Sequence, residues 1–197
     1  MRIVAGSHRG RTLETPPGEA VRPTSERTRG AVFNILTHAR WAVDEGSPLT
    51  GARVLDAFCG SGALGLEALS RGAASCLFLD RSQIALDAVR RNAAALHEDE
   101  RITLLRSDAL KPPPARLPVT LALLDPPYGE NLAVPALTAL AERGWFASGA
   151  VVVVETNSRD PFLPPDSFER LDQRQYRYTT VYFLRTGLPI GSKPAAP

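Results

Sequence analysis

The residues best placed for chemistry follow an apolar run, in Leu123-Leu124-Asp125-Pro126-Pro127-Tyr128. Two consecutive prolines fix φ and remove both backbone donors. The stiff segment that results offers only acceptors, the Asp125 carboxylate and the Pro126 carbonyl. It suits a partner carrying an NH₂ group. Two acceptors holding the hydrogens of an exocyclic base amine would orient its nitrogen toward an electrophilic carbon. Tyr128 would add a flat face for the base, and such stacking is worth roughly 1–3 kcal/mol per base. The plain structural alternative is a rigid turn after a buried strand, with Tyr128 in the core.

A second constellation lies upstream, in Val54-Leu55-Asp56-Ala57-Phe58-Cys59-Gly60-Ser61-Gly62-Ala63-Leu64-Gly65. The spacing Gly60-x-Gly62-x-x-Gly65 falls where a strand turns into a helix, the place where open α/β sheets approach ligands with bare backbone. Nicotinamide and flavin enzymes use the same glycines. Asp80, ending the next strand, can accept from both hydroxyls of a ribose, which still fits NAD. Asp56, four residues before Gly60, would repel a pyrophosphate but attract an ammonium. Asp108, after the third strand, could accept from an adenine amine. Three acids at successive strand ends suit a cationic nucleoside, and S-adenosylmethionine carries a sulfonium and an ammonium. Each acid alone has a structural alternative, as a helix-terminal anion, a cap or a turn residue. Cys59 lacks a neighbouring base and reads as a small packing residue.

These residues need a scaffold, and the chain supplies one from residue 52 onward, where β-rich runs alternate with helical stretches. Strands are expected at Arg53–Asp56, Cys76–Asp80, Ile102–Arg106, Val119–Asp125 and Ala150–Thr156. The fourth is continuously apolar and should be buried on both faces. Helices are expected over Ala63–Arg71, from a Ser82 cap to about Leu96 with Ile84, Ala85, Ala88 and Val89 inward, and over Leu132–Arg143. Phe168–Gln175 and Tyr178–Thr186 have too short a connection for a helix and must pair antiparallel. The expected fold is therefore α/β and Rossmann-like, a mostly parallel seven-stranded sheet with an antiparallel edge. Ahead of it, Arg2–Gly6 and Arg11–Thr15 flank Ser7-His8-Arg9-Gly10 as a hairpin. Ser25 caps a helix running to about Ala39, with Val32, Phe33, Ile35 and Leu36 inward and Arg27 and Arg29 directed differently. This divides the chain into an N-terminal extension (1–42), a main domain (43–188) that opens with a linker over Val43–Gly51, and a Pro-rich tail (189–197).

Composition narrows the class. At 197 residues, 44% hydrophobic and 22% charged, the chain is an ordinary globular protein. Its longest near-apolar run, Gly149–Val154, falls far short of the roughly 20 residues that span a bilayer. The start MRIVAGSHRG has no apolar core of a secretory signal, so a cytoplasmic protein is expected. Two cysteines and three scattered histidines give neither a disulfide framework nor a metal site. The net charge of +2 is unevenly spread: residues 1–40 hold seven Arg against three Glu, a net +4. Only Lys111 and Lys193 among the 23 basic residues are lysines. A basic segment on a near-neutral body suits contact with phosphates.

Taken with Arg2-Ile3-Val4-Ala5-Gly6, Arg9-Gly10-Arg11, Arg22-Pro23-Thr24-Ser25-Glu26-Arg27-Thr28-Arg29 and Phe33-Asn34-Ile35-Leu36, the chain resembles the RsmD-like family over about residues 1 to 186. These are class I S-adenosylmethionine-dependent methyltransferases of small-subunit ribosomal RNA that act on guanine N2. The resemblance implies that Asp56, Gly60, Gly62, Asp80 and Asp108 bind S-adenosylmethionine, with Phe58, Ser61, Arg81 and Ala109 completing that site. It implies that Asp125, Pro126, Pro127 and Tyr128 hold the guanine, and that Arg22, Thr24, Arg27 and Arg29 face RNA. No metal is expected, and the expected partner is ribosomal RNA in an assembling small subunit, met by a monomer. The chain departs from the family in Asp80, where Glu is commoner, in Gly30, where many have Glu, and in Arg177, where Gly is frequent. The competing functions are a DNA adenine-N6 methyltransferase, a nicotinamide oxidoreductase and a noncatalytic RNA-binding module.

Overall fold

The computed structural model describes residues 1–16, 25–39, 41, 46–160 and 162–187. Arg22, Thr24, residues 43–45 of the linker and the tail from 188 lie outside them. The main domain runs β1 (Arg53–Ala57), α2 (Ala63–Ser70), β2 (Ser75–Asp80), α3 (Gln83–Leu96), β3 (Ile102–Arg106), β4 (Val119–Leu124), α4 (Ala133–Glu142), β5 (Phe146–Asn157), β6 (Phe168–Tyr176) and β7 (Thr179–Thr186). It is preceded by α1 (Glu26–His38). The sheet order is β3-β2-β1-β4-β5-β7-β6, with β3 through β5 parallel and β7 antiparallel to both its neighbours. The antiparallel edge is thus a strand pair, and the reversed strand lies one place in from the border. The order turns back between β1 and β4, so their carboxyl ends open a crevice.

The caps stand where the side-chain chemistry puts them. Ser25 accepts from the Thr28 amide at 3.0 Å and Ser82 from the Ala85 amide at 3.3 Å, each satisfying an orphan donor of a first turn. The two faces of the central strands feed separate cores. Val54, Leu121, Leu123, Val151 and Val153 pack with residues of α1, α2 and α3, whereas Leu55, Ala122, Leu124, Val152 and Val154 pack with Leu137 and Leu140 of α4. β4 is buried on both faces, as its apolar run predicts. On α3, Ala85, Ala88 and Val89 are buried, but Ile84 is 56% exposed. The inward face is completed instead by Leu86, Asn92, Ala93 and Leu96.

The N-terminal hairpin closes through the Arg2–Thr12 bridge, with the Ile3 amide donating to Arg11 O at 2.9 Å. Ile3, Leu13, Val32, Phe33 and Leu36 join the same core as α2 and α3, so the extension shares its interior with the main domain. Polar contacts lock it there. The Val4 and Ala5 amides donate to Glu67 at 2.7 and 3.0 Å, His8 Nε2 lies 2.5 Å from Glu98 Oε1, and the Glu14 amide donates to Asn92 Oδ1 at 2.7 Å. Gly6 lies so close to α2 that a Cβ there would sit 1.9 Å from Ser70 O. Gly30 faces Val4, whose Cγ1 would lie 3.2 Å from an added Cβ, so a small residue lets α1 approach the hairpin. Arg177 has φ +37°, a left-handed conformation that explains why Gly is frequent at this turn.

Candidate active site

A cleft of about 400 Å³ opens at the carboxyl ends of β1, β2, β3 and β4. It is lined by Asp56, Phe58, Gly60, Ser61, Asp80, Arg81, Asp108 and Ala109, and by Asp125 through Tyr128. Parallel register brings these groups together. Ala57 lies beside both Leu79 and Leu124, so the chain leaves β1, β2 and β4 at one level and turns into the same crevice.

The glycine loop is held by the acids beneath it. Asp56 is 1% exposed and accepts from the Gly65 amide at 2.8 Å. Burial pushes its carboxyl up to about 8, a shift the Gly65 hydrogen bond opposes and the Asp80 charge reinforces. Asp80 accepts from the Gly60 amide at 3.1 Å through one oxygen and from the Ser82 amide at 2.8 Å through the other. A carboxylate has about four acceptor sites, so these bonds position Asp80 and still leave capacity for ribose hydroxyls. Asp108 is exposed and accepts from the Leu110 amide at 2.9 Å, which turns the chain beside buried Ala109. Gly60 and Gly62 adopt φ of +50° and +77°. Gly62 and Gly65 serve packing rather than the cleft, since an added Cβ would meet Val89 at 2.9 Å in the first case and Phe78 at 2.4 Å in the second. Cys59 is buried, and its thiol is raised well above the usual range by burial and then by Asp56 and Asp80, which removes it as a nucleophile.

At the opposite wall, Pro126 is buried while Pro127 and Tyr128 are exposed. Tyr128 is 39% exposed, but its hydroxyl donates to Glu155 Oε1 of β5 at 2.8 Å and lies 3.1 Å from Thr179 Oγ1 of β7. Burial and the Glu155 charge push the phenol up, so it stays protonated. Glu155, 5% exposed, is a residue that the sequence reading missed. Its signal was an acid breaking the valine run of a central strand.

One expected site residue moves. Arg27 is exposed, as contact with a large polyanion requires, but Arg29 is fully buried and ion-paired with Glu67 at 3.5 Å. It cannot face RNA from there. Helical spacing explains the correction: positions 29, 32, 33 and 36 share one stripe of α1, and that stripe packs inward. Among the described residues no cluster of His, Cys, Asp or Glu is arranged to hold a metal, and no helix is long and apolar enough to cross a membrane.

A doubly wound sheet with an acid at or just beyond the carboxyl end of each of its first three strands, and an Asp-Pro-Pro-Tyr loop after the fourth, defines a class I S-adenosylmethionine-dependent methyltransferase. The chain belongs to the RsmD-like family, described as Conserved hypothetical protein 95, whose family model matches residues 1–185. It is 33% identical over 178 residues to the ribosomal RNA small subunit methyltransferase D of Haemophilus influenzae, covering 88% of each chain. The protein of the same name from Escherichia coli K12 is 32% identical over 157 residues, covering 79% of this chain and 74% of that one. Among solved structures, yhhF from Escherichia coli matches with a TM-score of 0.77 at 27% identity, covering 95% of this chain and 98% of the other. TrmN from Thermus thermophilus matches with a TM-score of 0.63 at 28% identity, covering 81% of this chain and 48% of its own.

Proposed function

We propose that this protein transfers a methyl group from S-adenosylmethionine to the exocyclic N2 of a guanine in small-subunit ribosomal RNA. The observation that carries the reading is the convergence, in one cleft, of the three strand-end acids with the acceptor-only loop Asp125–Tyr128. The acids fit a cationic nucleoside by their chemistry: Asp56 takes the ammonium, Asp80 the ribose hydroxyls and Asp108 the adenine amine, with Phe58, Gly60, Ser61, Arg81 and Ala109 around them. Bound S-adenosylmethionine supplies a methyl on a positively charged sulfur. Across the cleft, the Asp125 carboxylate and Pro126 carbonyl accept from the guanine amine and aim its nitrogen lone pair, while Pro127 stiffens the loop and Tyr128 carries the base. With the cofactor held by those acids, the guanine nitrogen so oriented would take the methyl as its bond to sulfur breaks, and would then give its extra proton to water. No residue of this chain is covalently modified.

The base must leave its stack to reach Asp125. Exposed Arg9, Arg11 and Arg27 hold the surrounding phosphates, with Arg22 and Thr24 on the same segment. Charge cannot choose one guanine, so selection rests on the shape of folded RNA in an assembling subunit. The protein acts there as a cytoplasmic monomer. Arg27→Ala tests the arm: RNA binding should weaken and its salt dependence flatten, with S-adenosylmethionine binding unchanged. Unaltered RNA affinity and salt slope would remove Arg27 from the interface.

A further inference from the structure

Behind the cleft a buried ion pair, Arg29 with Glu67, is joined by the partly exposed Arg71. Arg71 Nε donates to Glu67 Oε1 at 2.7 Å, and Arg29 Nε lies 3.5 Å from Glu67 Oε2. Glu67 is 0% exposed and also accepts from the Val4 and Ala5 amides. Glu67 is therefore shared among two guanidiniums and two backbone amides, and is heavily subscribed. Arg29 is the guanidinium with capacity to spare. Its Nη2 donates to the Arg2 carbonyl, while Nε and Nη1 are sealed from solvent with no hydrogen-bond partner among the described residues. Buried donors left unused are costly, and charged ones more so. Arg29 nevertheless lines the cleft, together with Asp56, Ser61, Ala63 and Leu64.

The position is specific. Asp56 grips the first turn of α2 through the Gly65 amide, and Arg29 reaches the same helix two residues later through Glu67. An anion-seeking and a cation-seeking group therefore flank one short stretch, near a helix N-terminus that itself favours negative charge. The amino-acid arm of S-adenosylmethionine is a zwitterion of matching size. We infer that Arg29 receives the carboxylate of that arm while Asp56 receives its ammonium. This assignment rests on the methyltransferase function proposed above. A planar guanidinium suits a carboxylate through two parallel hydrogen bonds. Because Nε and Nη1 are sealed, the carboxylate reaches them only as α1 or the hairpin shifts, which links cofactor binding to the seating of both.

The test compares equilibrium binding of S-adenosylmethionine with that of its decarboxylated analogue, which keeps the sulfonium and the ammonium. The native full chain should prefer the complete compound by about 30-fold, the scale of a charged hydrogen bond. Arg29→Gln combined with Glu67→Gln, which leaves no lone buried charge of this pair, should abolish that preference and change analogue binding by no more than about twofold. Equal affinities in the native chain overturn the assignment, as does a preference that survives the double substitution. If the double variant does not fold, Arg29→Lys keeps the charge beside Glu67 and removes the fork. Its preference should drop at least about fivefold, and an unchanged ratio overturns the assignment. Binding of neither compound by the native chain contradicts the methyltransferase function itself.

Discussion

The Tyr128 hydroxyl donates to the buried Glu155 of β5 at 2.8 Å, which ties the loop after β4 to the neighbouring strand and leaves the ring facing the cleft. The tether and the ring have separable roles. Tyr128→Phe keeps the face and loses the tether, so kcat/KM for methyl transfer should fall about fivefold, the scale of one net hydrogen bond. Tyr128→Ala loses both and should cost about 10- to 100-fold. Cofactor affinity should stay within about twofold in both, and equal rates for the two variants would remove the stacking role.

Asp125 and Asp80 line opposite parts of the cleft and should separate cleanly. Asp125→Ala is expected to bind S-adenosylmethionine almost normally while single-turnover transfer drops about 10²- to 10³-fold, the scale of a lost preorganised polar group. Asp80→Ala should first weaken cofactor binding, both by losing the ribose contact and by freeing the Gly60 amide it now holds. Asp125→Ala with undiminished turnover would exclude that residue from the chemistry.

Asp56 links binding to protons. Its folded carboxyl titrates at about 8, above the ordinary value of 3.8, because it is buried. Between those two values the folded state holds a proton that the unfolded chain has lost, so the ligand-free protein loses stability as pH rises from about 4 to about 8, and the loss levels off above. An ammonium against Asp56 favours the ionised form. Binding of S-adenosylhomocysteine at pH 7 should therefore release a proton, and affinity should rise from pH 6 to 8. Calorimetry in buffers of different ionisation enthalpy reads this directly. Zero proton release would mean that Asp56 does not meet the ammonium.

The spacing of the glycine loop has a packing consequence as well. A Cβ at Gly65 would lie 2.4 Å from the Phe78 ring and 2.5 Å from Cys76 Sγ, both buried on β2. Gly65→Ala should destabilise the fold by about 1–3 kcal/mol through overpacking between α2 and the sheet, measured by denaturant titration. An unchanged midpoint would show that α2 shifts at no cost.

Local patterns made much of this molecule legible before any coordinates. Ser25 and Ser82 mark helix starts because their hydroxyls answer orphan amides, and β3 spans Ile102–Arg106 in structure as in sequence. The Asp56, Asp80, Asp108 and Asp125 quartet was visible because each follows a β-rich run. What was not legible depends on partners distant in sequence. Arg29 reads as one more basic residue of an arm until Glu67 is placed beside it, although its i, i+3, i+4, i+7 alignment with Val32, Phe33 and Leu36 already marked an inward stripe. Glu155 reads as the end of a valine strand until Tyr128 meets it. Ile84 looked inward by periodicity but sits in the first turn of α3, outside the contact with the sheet.

The central claim is tested most directly with labelled S-adenosylmethionine and small ribosomal subunits from a strain that lacks this protein. Those particles, or their precursors, should accept about one methyl each, recovered as N2-methylguanine, whereas subunits from the parent strain should accept almost none. Asp125→Ala protein should leave the deficient particles unmodified. Equal incorporation into both kinds of subunit, methyl recovered on adenine N6, or no transfer from a protein that binds the RNA normally would contradict the account.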